Sequence, residues 1–226
     1  PMRSSAASDV YKRQAVTIPE EFGGIGMGYL ELCVIAEELG RAIAPVPYSS
    51  SVYLATTTIL NCASDEIKKE FLPKLVSGDI VGTLAVTEEL HAPSASNIQV
   101  TYESGKLNGK KIAVPDAKVS THALVVAKST KGISLQIVDL SSEGVLIEHQ
   151  ETIDESRGHF SITFNNAEAQ LIGDEVSGWE IYESIINQAA VLFSYEQIGG
   201  SQASLDMAVN YAKERYAFGR PIGSCL

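Results

Sequence analysis

Seven short runs follow one another from Ile80: IVGTLAVTE, NIQVTYES, KLNGKKIAV, HALVVAK, ISLQIVDL, GVLIEH and HFSITFNNA. They are rich in β-branched residues, and Gly, Ser, Asn or Asp separates each from the next. Such spacing predicts the strands of an antiparallel barrel or sandwich. The period is helical before Ile80 and becomes helical again near Glu175. The sequence therefore predicts an α+β multidomain chain: a helical N-terminal segment, an antiparallel β-barrel middle domain, and one long helix that begins a C-terminal bundle.

On the N-terminal side, AVTIPEEFGGIGMGYLELCVIAEELGRAIAP opens with Pro19 and glycines at 23, 24, 26 and 28, a turn-rich entry. Leu30, Cys33, Val34, Ile35 and Leu39 then share a broad apolar face, and Pro45 and Pro47 stop that helix. A second apolar segment, SSVYLATTTILNCA, leads to SDEIKKEFLPKLVSGD. Ser64 is placed to cap the helix there, Asp65 and Glu66 suit its positive end, and Gly78 suits the position after its last turn. Pro73 should kink or shorten that turn.

On the C-terminal side, about forty residues from Ser177 hold helical phase, interrupted only at Gly199-Gly200. Ile181, Ile185, Gln188/Ala189, Leu192, Tyr195/Glu196, Gly199, Ala203 and Leu205 trace a mostly apolar stripe. A single helix of this length needs partner helices to bury its stripe, and none follows. A truncated C-terminal domain is expected. The opening PMRSSAASDVYKRQ shows no period and resembles translated adapter or cloning sequence, and Cys225-Leu226 are expected to share that origin. The expected divisions are residues 1–14, a non-native leader; 15–79, a partial helical domain; 80–173, the barrel; and 174–226, the start of the C-terminal helical domain.

Composition removes several function classes. The net charge is −11, which argues against a nucleic-acid backbone as partner. Cys33, Cys62 and Cys225 are far apart with no C-x-x-C, as in a reduced, cytoplasmic chain. No apolar run is long enough to span a membrane. His91, His122, His149 and His159 lie far apart and match no metal-ligand spacing. ESGKLNG reads as a hairpin turn rather than a phosphate loop, and Gly24-x-Gly26-x-Gly28 opens no βαβ unit. Glu88-Glu89 and Asp154-Glu155 read as solvated acid pairs.

Four stretches remain: IPEEFGG, FLPKLVSGD…LAVTE, LNGKK and the terminal RYAFGRPIGS. In that order and at those separations they resemble the acyl-CoA dehydrogenase family of flavoproteins, across residues 15 to 224. The resemblance implies FAD lying between the barrel and the C-terminal helices, in a dimer or tetramer. It implies an acyl-CoA substrate whose α-proton goes to a glutamate while a hydride passes from the β-carbon to flavin N5, giving a trans-2-enoyl-CoA. Electrons then pass to an electron-transfer flavoprotein, as in fatty acid β-oxidation. Leu84, Val86 and Thr87 of LAVTE match the strand at the flavin edge, with Thr87 the donor through its hydroxyl or backbone N–H. Arg215 and Phe218 match positions that reach across a dimer interface to the neighbouring subunit's FAD. A guanidinium pairs bidentately with phosphate oxygens, and an aromatic flanks the adenosine.

The chain also departs from the pattern. Ala217 stands where the family commonly has a hydroxyl residue. LHAPSAS replaces a Gly-x-Gly-Ser-Asp loop at the pyrophosphate, leaving Ser94 or Ser96 as substitutes. Ala113-Val114-Pro115 replaces the Trp-x-Thr/Ser set against the flavin, a "VPDA" type of divergent branch. One family location of the catalytic base lies beyond this sequence, and the other aligns with Ala189. Glu196, two turns on, reads better as a half-buried glutamate paired with Lys or backbone, or at a helix crossing, so no base is assigned. The expectation is an acyl-CoA dehydrogenase fragment, inactive by itself. The same departures suit a non-catalytic partner subunit of a heteromeric dehydrogenase that lends Arg215 to its neighbour. An acyl-CoA oxidase is a third option, and acyl chain length and branching are left open.

Overall fold

A computed structural model describes residues 14–154 and 156–225. The expected leader lies outside the described residues except for Gln14, as do Glu155 and Leu226. Helix α1 covers Tyr29–Ala42. A π-helical stretch, Ser49–Thr56, continues into α2, Thr57–Cys62, and α3 follows at Asp65–Ser77. The strands are β1 Gly82–Ala85, β2 Thr101–Glu103, β3 Lys106–Pro115, β4 His122–Lys128, β5 Ile133–Asp139, β6 Val145–Gln150, β7 His159–Glu168 and β8 Gln170–Ile172. Helix α4 covers Gly178–Glu214 and is followed by a small hairpin, β9 Tyr216–Ala217 with β10 Arg220–Pro221, and a 3-10 turn at Ile222–Cys225. The chain divides into two compact units: residues to Gly28 with Pro45–Ala189, and Tyr29–Ala44 with the residues from Ala190.

In the first unit the buried π-helical stretch carries unusual polarity for an interior. Part of that demand is met locally. The Thr56 hydroxyl donates to the Ser51 carbonyl (2.8 Å) and the Thr57 hydroxyl to the Val52 carbonyl (3.1 Å), each five residues back. Such bonds satisfy carbonyls that a widened helix leaves poorly placed. Helix α3 begins as expected, with the Ser64 hydroxyl accepting from the Ile67 amide at 3.4 Å, and Gly78 closes it. It runs on past Pro73 to Ser77, so the proline does not shorten it. Its buried face is Ile67, Phe71, Leu72 and Leu75.

The seven expected strands are β1 to β7, and β8, only three residues long, carried no visible pattern. All eight join one sheet in the order β6-β7-β3-β2-β4-β5-β8, with β1 against β4. The barrel is not closed: the terminal strands β6 and β8 do not pair. The sheet is also not wholly antiparallel, because β1 runs parallel to β4 from Gly82↔His122 to Ala85↔Val125. Strand β1 enters from a helix instead of a hairpin, which frees it to pair in either sense. Leu107, Val125, Val138, Ile162 and Phe164 pack in one cluster inside the sheet. Each such side chain contributes about 1.5–3 kcal/mol when fully buried.

In the second unit, α1 buries Leu32, Cys33 and Ala36, whereas Leu30 and Val34, expected on the apolar face, are 70% and 60% exposed. The reason is a backbone crossing. A Cβ on Gly40 would lie 1.9 Å from the Glu196 carbonyl oxygen, and one on Gly199 would lie 1.9 Å from that of Glu37. Contact this close selects the ridge Leu32–Ala36–Gly40, spaced by four, over the bulkier neighbouring face. The expected interruption at Gly199-Gly200 is absent: α4 continues through both glycines. Beyond the crossing its stripe emerges, with Leu205 exposed. No helix among the described residues is long and apolar enough to cross a membrane, and no group of three or more His, Cys, Asp or Glu there could hold a metal ion.

Candidate functional site

Strand β1 ends at Ala85, and the backbone continues through Val86, Thr87 and Glu88 alongside β3. Leu84 and Val86 are buried, so what they offer a ligand is backbone; Thr87 is half-buried. Three bonds fix this segment. The Thr83 hydroxyl donates to the Pro115 carbonyl (2.6 Å), the Ile112 amide to the Thr87 carbonyl (2.8 Å), and Lys111 Nζ to the Val86 carbonyl (2.8 Å). The Thr87 amide has no acceptor among the described residues. An N–H without a partner on a half-buried residue is a donor that a ligand can use.

Strand β3 breaks register with β7 between Lys111 and Val114. Ala113 sits in that bulge with φ 51°, and its amide donates to Gln150 Oε1 at 2.7 Å. Bulges re-aim side chains beside binding sites, and a left-handed alanine costs roughly 1–2 kcal/mol. Here the re-aimed side chain is an exposed methyl. Asp116, also at positive φ, accepts from the Ser50 hydroxyl and donates its amide to the Gly158 carbonyl (2.9 Å).

Beneath Thr87 lies a charged pair that the sequence did not announce. The Lys111 side chain is wholly buried and its ammonium lies 2.6 Å from Glu88 Oε1. Glu88 also accepts from the amides of Gln99 (2.6 Å) and Val100 (3.1 Å). Burial pushes the Lys111 ammonium down to about 8, opposed by its bond to Glu88. The expectation of a solvated Glu88-Glu89 pair is thus wrong for Glu88. One signal was available: Lys111 falls in phase with the inward-facing Leu107 on β3.

The loop that follows is bonded within itself. His91 Nε2 meets Glu89 at 2.7 Å, and the Ser94 and Ser96 hydroxyls meet each other at 3.0 Å. A bond at the Ala92 carbonyl and the neighbouring Glu89 raise His91 above its ordinary range.

In the second unit, the Arg215 amide closes the last turn of α4 on Tyr211, and the Arg215 carbonyl accepts from Ile222 (2.8 Å each). Arg215 is exposed. Phe218 and Gly219 form the two-residue tip between β9 and β10, with φ 53° and 79°. Both central residues at positive φ is the arrangement of a type I′ turn, whose twist suits a hairpin. Phe218 is fully exposed there. Glu196 is half-buried, and its backbone lies against Gly40 at the crossing. Ala189, in the first unit, is fully buried.

Residues 13–79 match the family model described as "Acyl-CoA dehydrogenase, N-terminal domain". The chain is 31% identical over 225 residues to an acyl-CoA dehydrogenase of Bacillus subtilis, covering 92% of this chain and 59% of that one. Among solved structures, it superposes on a glutaryl-coenzyme A dehydrogenase in complex with glutaryl-CoA, with a TM-score of 0.89 and 25% identity, covering 99% of this chain and 61% of the other. An FAD complex of PigA gives a TM-score of 0.84 and 25% identity, covering 97% of this chain and 62% of that one. The family model, the curated relatives and the solved structures together support a member of the acyl-CoA dehydrogenase family. It spans 54% to 59% of the length of the first curated relatives it matches.

The family implies FAD, and the residues present can be tested against it. The edge of a flavin ring is rich in acceptors, and Thr87 offers it an amide with no other partner and a hydroxyl. That part fits. The loop after Glu88 fits a diphosphate less well, since Glu89 adds negative charge that His91 offsets. Arg215 supplies an exposed guanidinium of the right chemistry.

Proposed function

We propose that this chain forms part of an FAD-dependent acyl-CoA dehydrogenase, converting an acyl-CoA thioester to a trans-2-enoyl-CoA and passing electrons to an electron-transfer flavoprotein. The observation that carries the reading is the Thr87 amide, which lacks an acceptor at the end of the strand that the family resemblance sets against flavin. Bound FAD would supply a two-electron acceptor for the hydride of the acyl β-carbon. This chain's residues bind and orient. Thr87 donates to the ring edge through N–H and hydroxyl, while Leu84 and Val86 hold the strand from the interior. Arg215 pairs with the diphosphate of FAD on a neighbouring protomer, and Phe218 flanks its adenosine, which makes a dimer or tetramer the working form. The free thiols Cys33 and Cys62 suit a reducing, cytoplasmic setting for fatty acid β-oxidation.

No base is assigned. Ala189 stands at one family location and its methyl has no proton to exchange, so a chain relying on that location for its base is expected to be inactive. The test is to express the complete reading frame and residues 1–226 side by side. Visible flavin absorbance and acyl-CoA-dependent reduction of a dye are then measured. The complete protein is expected to be yellow and active, and residues 1–226 inactive. A complete protein that neither binds FAD nor responds to any acyl-CoA sinks the assignment. Turnover by residues 1–226 sinks the statement about the base.

A second reading is favoured by Ala113, whose exposed methyl cannot cover a flavin ring as the family's Trp-x-Thr does. On that reading the chain is a non-catalytic partner that completes a neighbour's site. A colourless homo-oligomer that turns yellow only with a partner would select it.

A further inference from the structure

The Lys111 ammonium meets the carbonyl oxygen of Val86 at 2.8 Å. That carbonyl shares one peptide unit with the Thr87 amide. No peptide bond among the described residues is cis, so the Thr87 N–H leaves on the side opposite the carbonyl, away from Lys111. A cation bonded to the oxygen of an amide draws electron density through its resonance and strengthens the N–H at the other end. The effect is larger where water is excluded, and the Lys111 side chain has no solvent contact. The peptide is also held in place: the Ile112 amide bonds the Thr87 carbonyl, and Glu88 grips the amides of Gln99 and Val100. Since Glu88 neutralises the pair, the influence on a ligand runs through the peptide and not through a free positive charge.

We propose that Lys111 is a positioning residue of the candidate flavin site, its charge polarising the Val86–Thr87 peptide and so aiming and strengthening the Thr87 N–H at the ring edge. The inference rests on the flavin reading above and adds a residue that does not itself touch the ligand. Among the described residues, Glu88 is the titratable group that faces Lys111. A neutral amine remains a donor but a weaker one, because charge assistance roughly doubles the strength of such a bond.

Isotopically labelled residues 1–226 provide the test, with no ligand needed for the first arm. The Val86 carbonyl carbon and the Thr87 amide are followed by NMR as pH rises. Both signals are expected to move in a single transition with a midpoint of about 8, where Lys111 gives up its proton. Lys111→Arg should hold the low-pH position throughout, since a guanidinium stays charged. In Lys111→Met/Glu88→Gln, which leaves no buried carboxylate unpaired, the transition should vanish. Flat Val86 and Thr87 signals while the Lys111 Nζ itself titrates overturn the proposal, and the wild-type protein alone suffices for that outcome. In the second arm FAD is added to the labelled complete protein, the form expected to hold it. The Thr87 amide is expected to move, with affinity roughly fivefold weaker in the double variant. If FAD leaves Thr87 unmoved although the pH transition is present, the flavin reading fails and the assignment of Lys111 to that site fails with it. If FAD moves Thr87 and the pH transition is missing, only the role of Lys111 falls.

Discussion

The end of β1 and the hairpin after α4 both carry residues that the family resemblance sets against FAD, and they are built in opposite ways. At the end of β1 the carbonyls of Val86 and Thr87 are both claimed, by Lys111 and Ile112, and the Thr87 amide is left over. The chain's own interior imposes the geometry. The hairpin has two residues in each strand and a phenylalanine at positive φ whose ring touches almost nothing. A left-handed phenylalanine costs roughly 1–2 kcal/mol, and nothing in the described residues offsets it by packing. The comparison separates a backbone geometry that the chain's own interior imposes from an exposed hairpin that the proposed function sets against another protomer.

The contrast can be broken by mutation. Lys111→Met should be the most damaging change, costing about 3–5 kcal/mol because Glu88 keeps a buried charge without its partner. Urea unfolding measures it, and Lys111→Met/Glu88→Gln should recover a large part of the loss. A cost below about 1 kcal/mol would place the pair in solvent and erase the difference between the two regions. The same pair shapes pH dependence. The folded chain holds the Lys111 proton less tightly than the unfolded chain, whose lysine titrates in its ordinary range. Between about 8 and that range the unfolded state binds more protons, so Lys111 makes stability climb as pH rises. The double variant should lack this slope, as denaturation at several alkaline pH values would reveal.

Smaller effects sharpen the comparison. Ala113→Gly relieves the left-handed alanine of the bulge and should gain up to ~1 kcal/mol, the more flexible unfolded chain taking back part of the benefit. Thermal melting reads that gain. Phe218→Asn should likewise leave the chain as stable or slightly more so, because asparagine tolerates the turn. Arg215→Ala should change the stability of residues 1–226 by no more than about 0.5 kcal/mol. In the assembled protein the same substitution is expected to weaken FAD binding, measured by release of the cofactor on dilution.

Much of the architecture was legible because it depends on local pattern. Alternation and turn residues marked β1 to β7, and Ser64 with Gly78 marked the two ends of α3. What could not be read depends on which partner an element meets. Leu30 and Val34 outweigh Ala36 in apolarity, yet a glycine crossing turned α1 the other way. Gly199 looked like a break because glycine weakens an isolated helix, and its use as a contact surface needs the second helix in view. The sheet's open ends were equally hidden, since closure depends on register between strands far apart in sequence. Thr87 is marked by its motif, whereas the phase of Lys111 on β3 carries little weight in a sequence, since lysines are almost never fully buried.

The crossing of α1 and α4 has one more consequence. Two missing methyl groups and two carbonyl oxygens act there as a detent against sliding. Displacing α4 along its axis by one turn, about 5.4 Å, would bring Tyr195 or Ala203 to the place of Gly199, and either would drive a carbon into the oxygen of Glu37. The helix therefore has a single axial setting against its neighbour, and the distance from that notch to Arg215 is as fixed as the pitch of the helix itself.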